Sequence, residues 1–170
     1  MDRDRVLAVE RGYVAGATAR GEPLAAAAAV ASRFLAVGTP RSLAVIGDGP
    51  GARDVLAAHR TWFEPRDVRC TEPAVAAALG GRVVARGEAL AADIVCICAP
   101  LALAAAELRR GTHVNALAEV ALDDDLRRLA IVVDERGLCA LAAGLVDGRQ
   151  LDELTVFVAG TAAIAAAALA

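Results

Sequence analysis

Ser42-Leu43-Ala44-Val45-Ile46-Gly47-Asp48-Gly49-Pro50-Gly51-Ala52-Arg53-Asp54-Val55-Leu56-Ala57-Ala58-His59-Arg60 decides how the rest of the chain is read. Leu43 to Ile46 is a short apolar run of the kind that forms a parallel strand buried on both faces. It runs straight into Gly47–Ala52, a Gly-x-Gly-x-x-Ala turn, and the residues from Gly51 to about Arg60 then read as a helix. In a dinucleotide-binding turn the first glycine permits the tight strand-to-helix reversal and the second lets a diphosphate approach the backbone. The third small residue lets helix and strand pack closely. Gly47, Gly49 and Ala52 match those roles, and the helix start would offer its amides to the phosphates.

A glycine-rich turn can also join a strand to a helix with no ligand present, so its surroundings matter. The fingerprint expects an acidic residue roughly 20 positions later, at the end of the second strand. Asp67–Thr71 reads as that strand and Glu72 closes it. A carboxylate there accepts both ribose hydroxyls and repels a 2'-phosphate, which favours NAD over NADP. The plain alternative for Glu72 is a surface acid.

The chain has 170 residues, enough for one domain with a full core and too few for two ordinary ones. Hydrophobic residues make up 57% and aromatic ones only 3%, so the core has to be built from Ala, Val and Leu. Such side chains bury little area each, and extra burial from a second subunit is expected. A net charge of −3, with arginines and acids scattered, argues against a nucleic-acid surface. The first residues, Met1-Asp2-Arg3-Asp4-Arg5, lack the order of a secretory signal, and no apolar run is long enough for a membrane span. Cys70, Cys96, Cys98 and Cys139 show no metal-ligand spacing, and Cys96 and Cys98, two apart on an interior strand, read as small buried hydrophobes. A reduced, cytoplasmic protein without a bound metal is the expectation.

Val6–Val9 is a candidate short strand. From Pro23 onward Leu24, Ala27, Ala28, Ala31, Phe34 and Leu35 recur at helical spacing, and this helix should end near Gly38. After the first strand, helix and second strand come a helix at Pro73–Leu79, a strand at Arg82–Ala85 and a helical turn at Glu88–Ala91. Asp93–Cys98 reads as a central strand, Leu101–Arg109 as a helix and His113–Ala116 as a strand. Asp123–Leu129 reads as a helix, Ile131–Asp134 as a sixth strand and Leu138–Leu145 as a helix. Leu154–Val158 is a strand or an extended return, and Ala162–Ala170 a final helix. The alternation predicts an α/β, doubly wound parallel sheet of the Rossmann type, with an extra N-terminal helix and a C-terminal helix. The expected strand order is 3-2-1-4-5-6, with the ligand crevice outside the carboxyl ends of the first and fourth strands. Residues 41–170 would form the dinucleotide-binding domain, and Ala99, just past the fourth strand, would line the crevice with Gly47, Asp48, Gly49, Pro50, Gly51, Ala52 and Glu72.

Several segments in order resemble the ornithine cyclodeaminase and mu-crystallin family. They are Phe34-Leu35-Ala36, the Gly47–Ala52 turn, Ala92-Asp93-Ile94-Val95, Gly111-Thr112-His113-Val114-Asn115-Ala116-Leu117, Ile131-Val132-Val133-Asp134 and Thr155-Val156-Phe157. The Gly111–Leu117 run is the most specific of them. The resemblance implies NAD(H) or NADP(H) as cofactor, an oxidoreductase or deaminase acting on an amino acid or cyclic imine, and a homodimer. It makes residues 1–40 the remnant of a substrate and dimerisation domain. The family's carboxylate-gripping arginine falls on Pro23, with Arg20 nearby, and its catalytic aspartate falls on Val120, with Glu119 one position earlier. True ornithine cyclisation would need both groups. Hydride transfer asks only for a positioned cofactor and one acid.

Glu119 is the candidate acid, the alternative being an ordinary loop carboxylate. His113 is either a proton shuttle or a satisfied core imidazole. Asn115 either meets the nicotinamide side of a cofactor or ties down its loop, and His59 reads as a surface residue. Asp123, Asp124 and Asp125 suit a helix start better than a metal. A non-catalytic subunit that serves only as a scaffold, or a fold turned to cofactor-free chemistry, is the rival to an oxidoreductase.

Overall fold

The computed structural model describes residues 23–146, 149 and 152–159. The possible strand at Val6–Val9, Arg20 and the possible helix at Ala162–Ala170 lie outside the described residues. Helix α1 (Pro23–Leu35) precedes β1 (Ser42–Ile46), α2 (Val55–His59), β2 (Asp67–Cys70), α3 (Pro73–Leu79), β3 (Arg82–Val83), α4 (Arg86–Leu90) and β4 (Ile94–Ile97). The second half runs β5 (Leu101–Leu103), a single 3-10 turn at Ala105–Glu107, β6 (His113–Ala116), β7 (Val120–Leu122), α5 (Asp124–Leu129), β8 (Ala130–Val133), α6 (Glu135–Ala142) and β9 (Leu154–Val158).

Seven of these strands form one parallel sheet in the order β3-β2-β1-β4-β6-β9-β8, the doubly wound arrangement. β1 and β4 are buried along their whole length, as runs of Leu, Ala, Val and Ile in a parallel sheet must be. One sheet face packs on α1, α2, α3 and α6 through Leu43, Val45, Cys96 and Phe157. The other packs on α4, α5 and the β5/β7 pair through Ala44, Ile46, Val95, Ile97 and Val156.

α1 belongs to this core. Ala25, Ala27, Ala28, Ala29, Ala31 and Leu35 have no exposed surface, so the helix is covered on more than one side. Methyl-sized side chains let it lie against both α2 and the β6 and β9 strands.

Three expectations are corrected. The strand at Leu154–Val158 lies between the His113 and Ile131 strands instead of the two being neighbours. The burial explains why. Thr155, Val156 and Phe157 are fully covered, as a strand flanked on both sides requires, whereas β8 leaves Val132 partly exposed at the edge of the sheet.

Leu101–Leu103 is a strand and not the start of a helix. Its register with Val120–Leu122, closed by Leu101 N–H to Glu119 O and Asp123 N–H to Leu103 O, gives β7 the partner it needs. Arg86 adds a hydrogen bond to Ala102 O and an ion pair with Glu107.

The helix after the glycine turn begins at Val55 and not Gly51. Gly51 has φ +82, outside the helical region, and its carbonyl collects Asp54 N–H and Val55 N–H as the first helical acceptor. The remaining helices hold their expected positions to within a few residues. At α5 the Asp123 carboxylate accepts from Leu126 N–H at 2.7 Å, the capping role expected for it. Asp134 caps α6 in the same way through Gly137 N–H, so that helix starts three residues earlier than Leu138.

Candidate functional site

Strands β1 and β4 are neighbours while their sequence successors leave in opposite directions, which makes their carboxyl ends the place where a doubly wound sheet takes its ligands. Cys98 N–H bonds to Ile46 O at 2.8 Å and holds the two strand ends level. Gly47 leaves β1 with φ +84, where a Cβ would lie 2.4 Å from the Cβ of Ala99. A Cβ on Gly49 would lie 1.9 Å from Cys98 O. The second glycine is therefore obligatory for packing against the end of β4, whatever lies over the turn. Ala52 is buried, as the third position of the turn demands, and Gly51 rests against Leu24 and Ala25 of α1.

The outer rim of the turn stays open. Asp48 and Pro50 are exposed and Gly49 is half-buried. Pro50 has no N–H, so any donors to a ligand come from its neighbours. Beside the turn, Gly47 N–H donates to Thr71 Oγ1 at 3.0 Å, and Thr71 N–H donates to Val45 O at 3.1 Å. Glu72 follows directly. It is exposed at the start of α3 and its side chain makes no capping hydrogen bond, so its carboxylate faces solvent at the carboxyl end of β2. Glu119 is also exposed, after β6. Its carbonyl takes Leu101 N–H, which fastens that loop to the segment following Ala99.

The structure thus brings together Gly47, Asp48, Gly49, Pro50, Gly51, Ala52, Glu72 and Ala99 at one end of the sheet, with Glu119 on the loop that follows β6. It separates His113 and Asn115 from them. Both are fully buried and face α1. His113 pairs through Nδ1 with Thr155 Oγ1 at 2.8 Å and through Nε2 with Asn115 Oδ1 at 3.1 Å. Asn115 Nδ2 donates to Ser32 Oγ at 3.0 Å. His113 opens β6 at the end of the sheet away from the glycine turn and has no exposed surface, the setting of a satisfied core imidazole. The Asn115 amide has its partners inside the fold, in His113, Ser32 and Cys96.

His59, expected on the surface, is fully buried. A five-residue helix is too short for periodicity to fix its facing, and α1 covers that side. Burial pushes the His59 imidazole down to about 4 against a weaker opposing hydrogen bond to Val55 O, and burial pushes His113 down to about 3. Both are neutral at pH 7.

Thr71 and Ser32 were missed at the level of sequence. Only the β1–β2 register, with Val45 opposite Cys70, shows that a hydroxyl after Cys70 meets the first glycine. Two described cavities, of about 560 and 420 Å³, lie at the other end of the sheet near Thr39, and Asp93 beside the larger one is held by Ser42 and Arg109. Among the described residues no group of acids, histidines and cysteines is arranged to hold a metal, and no helix is long and apolar enough to cross a membrane.

No family model matches the chain. No curated protein matches it either. Solved structures do. An archaeal alanine dehydrogenase dimer with bound NAD superimposes with a TM-score of 0.70 at 22% identity, over 86% of this chain and 61% of that one. This chain shares its fold. The Δ1-pyrroline-2-carboxylate reductase of Thermococcus litoralis, in complex with NADH and L-proline, gives 0.65 at 22% identity, over 83% of this chain and 59% of that one. A lysine cyclodeaminase studied for recognition of L-lysine, L-ornithine and L-2,4-diaminobutyric acid gives 0.65 at 21%, over 85% and 55%. The chain spans 55–61% of the length of these three proteins.

Proposed function

We propose that this chain is an NAD(H)-binding oxidoreductase of the ornithine cyclodeaminase and mu-crystallin type, acting on an imine or a small molecule derived from an amino acid. The observation that carries this is the open Gly47–Ala52 turn at the β1/β4 crevice with Glu72 exposed on the adjoining strand end. The shared fold supports it, since the alanine dehydrogenase and the pyrroline-carboxylate reductase were solved with NAD and NADH.

Three features support a dinucleotide here: the turn packs closely on Cys98 and Ala99, Asp48 and Pro50 on its outer side are exposed, and an exposed Glu72 follows β2, where a carboxylate would accept two ribose hydroxyls and repel a 2'-phosphate. NAD is therefore favoured over NADP. A bound nicotinamide would supply the hydride chemistry. Gly47, Asp48, Gly49, Pro50, Gly51, Ala52 and Ala99 would hold the cofactor, and Glu119 would serve as the acid facing a substrate nitrogen. The small-molecule substrate would be walled in by a second copy of the chain, with residues 1–40 as the remnant of the substrate and dimerisation domain. A cytoplasmic homodimer is the form proposed.

Titration with NADH by calorimetry tests this. Binding below millimolar with weaker NADPH binding is expected; no heat with either cofactor at millimolar concentration overturns it.

One observation favours a second reading, a non-catalytic binding subunit. The position of the family's catalytic aspartate holds Val120, which is buried in β7 and paired with Leu101. Under that reading Glu72→Ala leaves function intact, whereas it removes function from an oxidoreductase.

A further inference from the structure

The hydrogen bond between Gly47 N–H and Thr71 Oγ1 ends the β1–β2 ladder with a side chain. The last backbone bond between these strands is Thr71 N–H to Val45 O. The next donor along β1 is Gly47 N–H, and it meets a hydroxyl in place of a carbonyl, at 3.0 Å. Gly47 can then take φ +84 and swing away from β2, until it lies against Ala99 just past β4. Thr71 is half-buried and immediately precedes Glu72.

We infer that Thr71 is a positioning residue that couples the two halves of the nucleotide site, setting the glycine turn and the Glu72 carboxylate in fixed register. This rests on the dinucleotide reading above. Without the hydroxyl, Gly47 N–H loses its acceptor in a half-buried place and can regain one only by rotating its peptide, which redirects the amides that follow. The turn and the acid would then no longer be held at one spacing, and a ligand that needs both would lose affinity as well as its ribose selectivity.

The test compares wild type, Thr71→Val, Thr71→Ser and Thr71→Ala for binding of NADH, NADPH and ADP-ribose by calorimetry, with melting temperatures measured alongside. Thr71→Val and Thr71→Ala are expected to bind NADH and ADP-ribose about tenfold more weakly, the loss of one partly buried hydrogen bond. Their preference for NADH over NADPH should narrow, while Thr71→Ser keeps both affinity and preference. Should Thr71→Val fail to fold, Thr71→Ala carries the same comparison. Variants that bind and discriminate like wild type, or a Thr71→Ser protein as weak as Thr71→Val, overturn the role of the hydroxyl and leave the cofactor reading standing. A wild type that binds none of the three ligands removes that reading, and the inference falls with it.

Discussion

Ser32 Oγ on α1 lies 2.9 Å from Nε2 of His59 on α2, and neither residue has any exposed surface. His59 Nδ1 donates to Val55 O at 2.7 Å, so Nε2 is the acceptor and the serine hydroxyl donates to it. Ser32 Oγ in turn accepts from Asn115 Nδ2, whose carbonyl oxygen accepts from His113 Nε2. At the far end the single hydroxyl proton of Thr155 faces both His113 Nδ1 and Leu35 O. Arg149 Nη1 also donates to Leu35 O, at 2.7 Å, so the carbonyl stays satisfied when the proton turns to the imidazole. Five buried polar side chains thus join α1, α2, β6 and β9.

Ser32→Ala breaks this chain in its middle. It leaves His59 Nε2 and Asn115 Nδ2 each without that partner in a fully buried place, and about 2–4 kcal/mol of stability should be lost. Urea unfolding measures it. A double-mutant cycle with His59→Phe should show coupling, since the second change removes the nitrogen that the first one orphans.

Acid should loosen the fold through the two imidazoles. Their folded values of about 4 and about 3 lie below the ordinary 6.5, so in the window between, the unfolded chain binds more protons. The stability they contribute is complete above pH 6.5 and is lost as the pH falls through the folded values. By pH 5 each should have given up about 2 kcal/mol. Urea midpoints at pH 7, 6 and 5 check this, and His59→Phe should flatten the slope.

Gly49→Ala and Gly80→Ala separate two reasons for a glycine. Gly80 has φ +66 and open space around the missing Cβ, so alanine should cost only about 1–2 kcal/mol of backbone strain. At Gly49 the added carbon meets Cys98 O, a backbone atom that cannot swing aside. That variant should be far less stable, as melting temperatures of the pair would show.

Glu72→Gln should leave the melting temperature unchanged, because the side chain is exposed and makes no capping bond. NADH affinity should fall about tenfold and the gap to NADPH should narrow, as for loss of a charge-assisted pair of hydrogen bonds. Fluorescence titration with both cofactors reads the outcome.

The parallel sheet and the turn were legible because each depends on local pattern. Leu43–Ile46 and Ile94–Ile97 are apolar runs that suit only a doubly covered strand, and the glycines of Gly47–Ala52 mark a tight turn from strand to helix. What stayed hidden depends on contacts distant in sequence. The place of Leu154–Val158 within the sheet is a choice among partners, which its own residues do not name. The β5/β7 pair joins segments that are each three residues long and have no periodicity to read. The burial of His59 and the inward bond of Asn115 stayed hidden because Ser32, their common partner, lies in a helix that reads as plain alanine stripe.

The late arrival of β9 bears on how the protein is made. On the ribosome β6 emerges some forty residues before its second neighbour, and β8 has nowhere to dock until Leu154–Val158 has been translated. A nascent chain therefore carries an open sheet edge over that stretch of its synthesis, and a frameshift shortly after Ala142 would strand two segments at once. Cellular holdases that guard unfinished β-structure should matter more for this polypeptide than its modest size suggests.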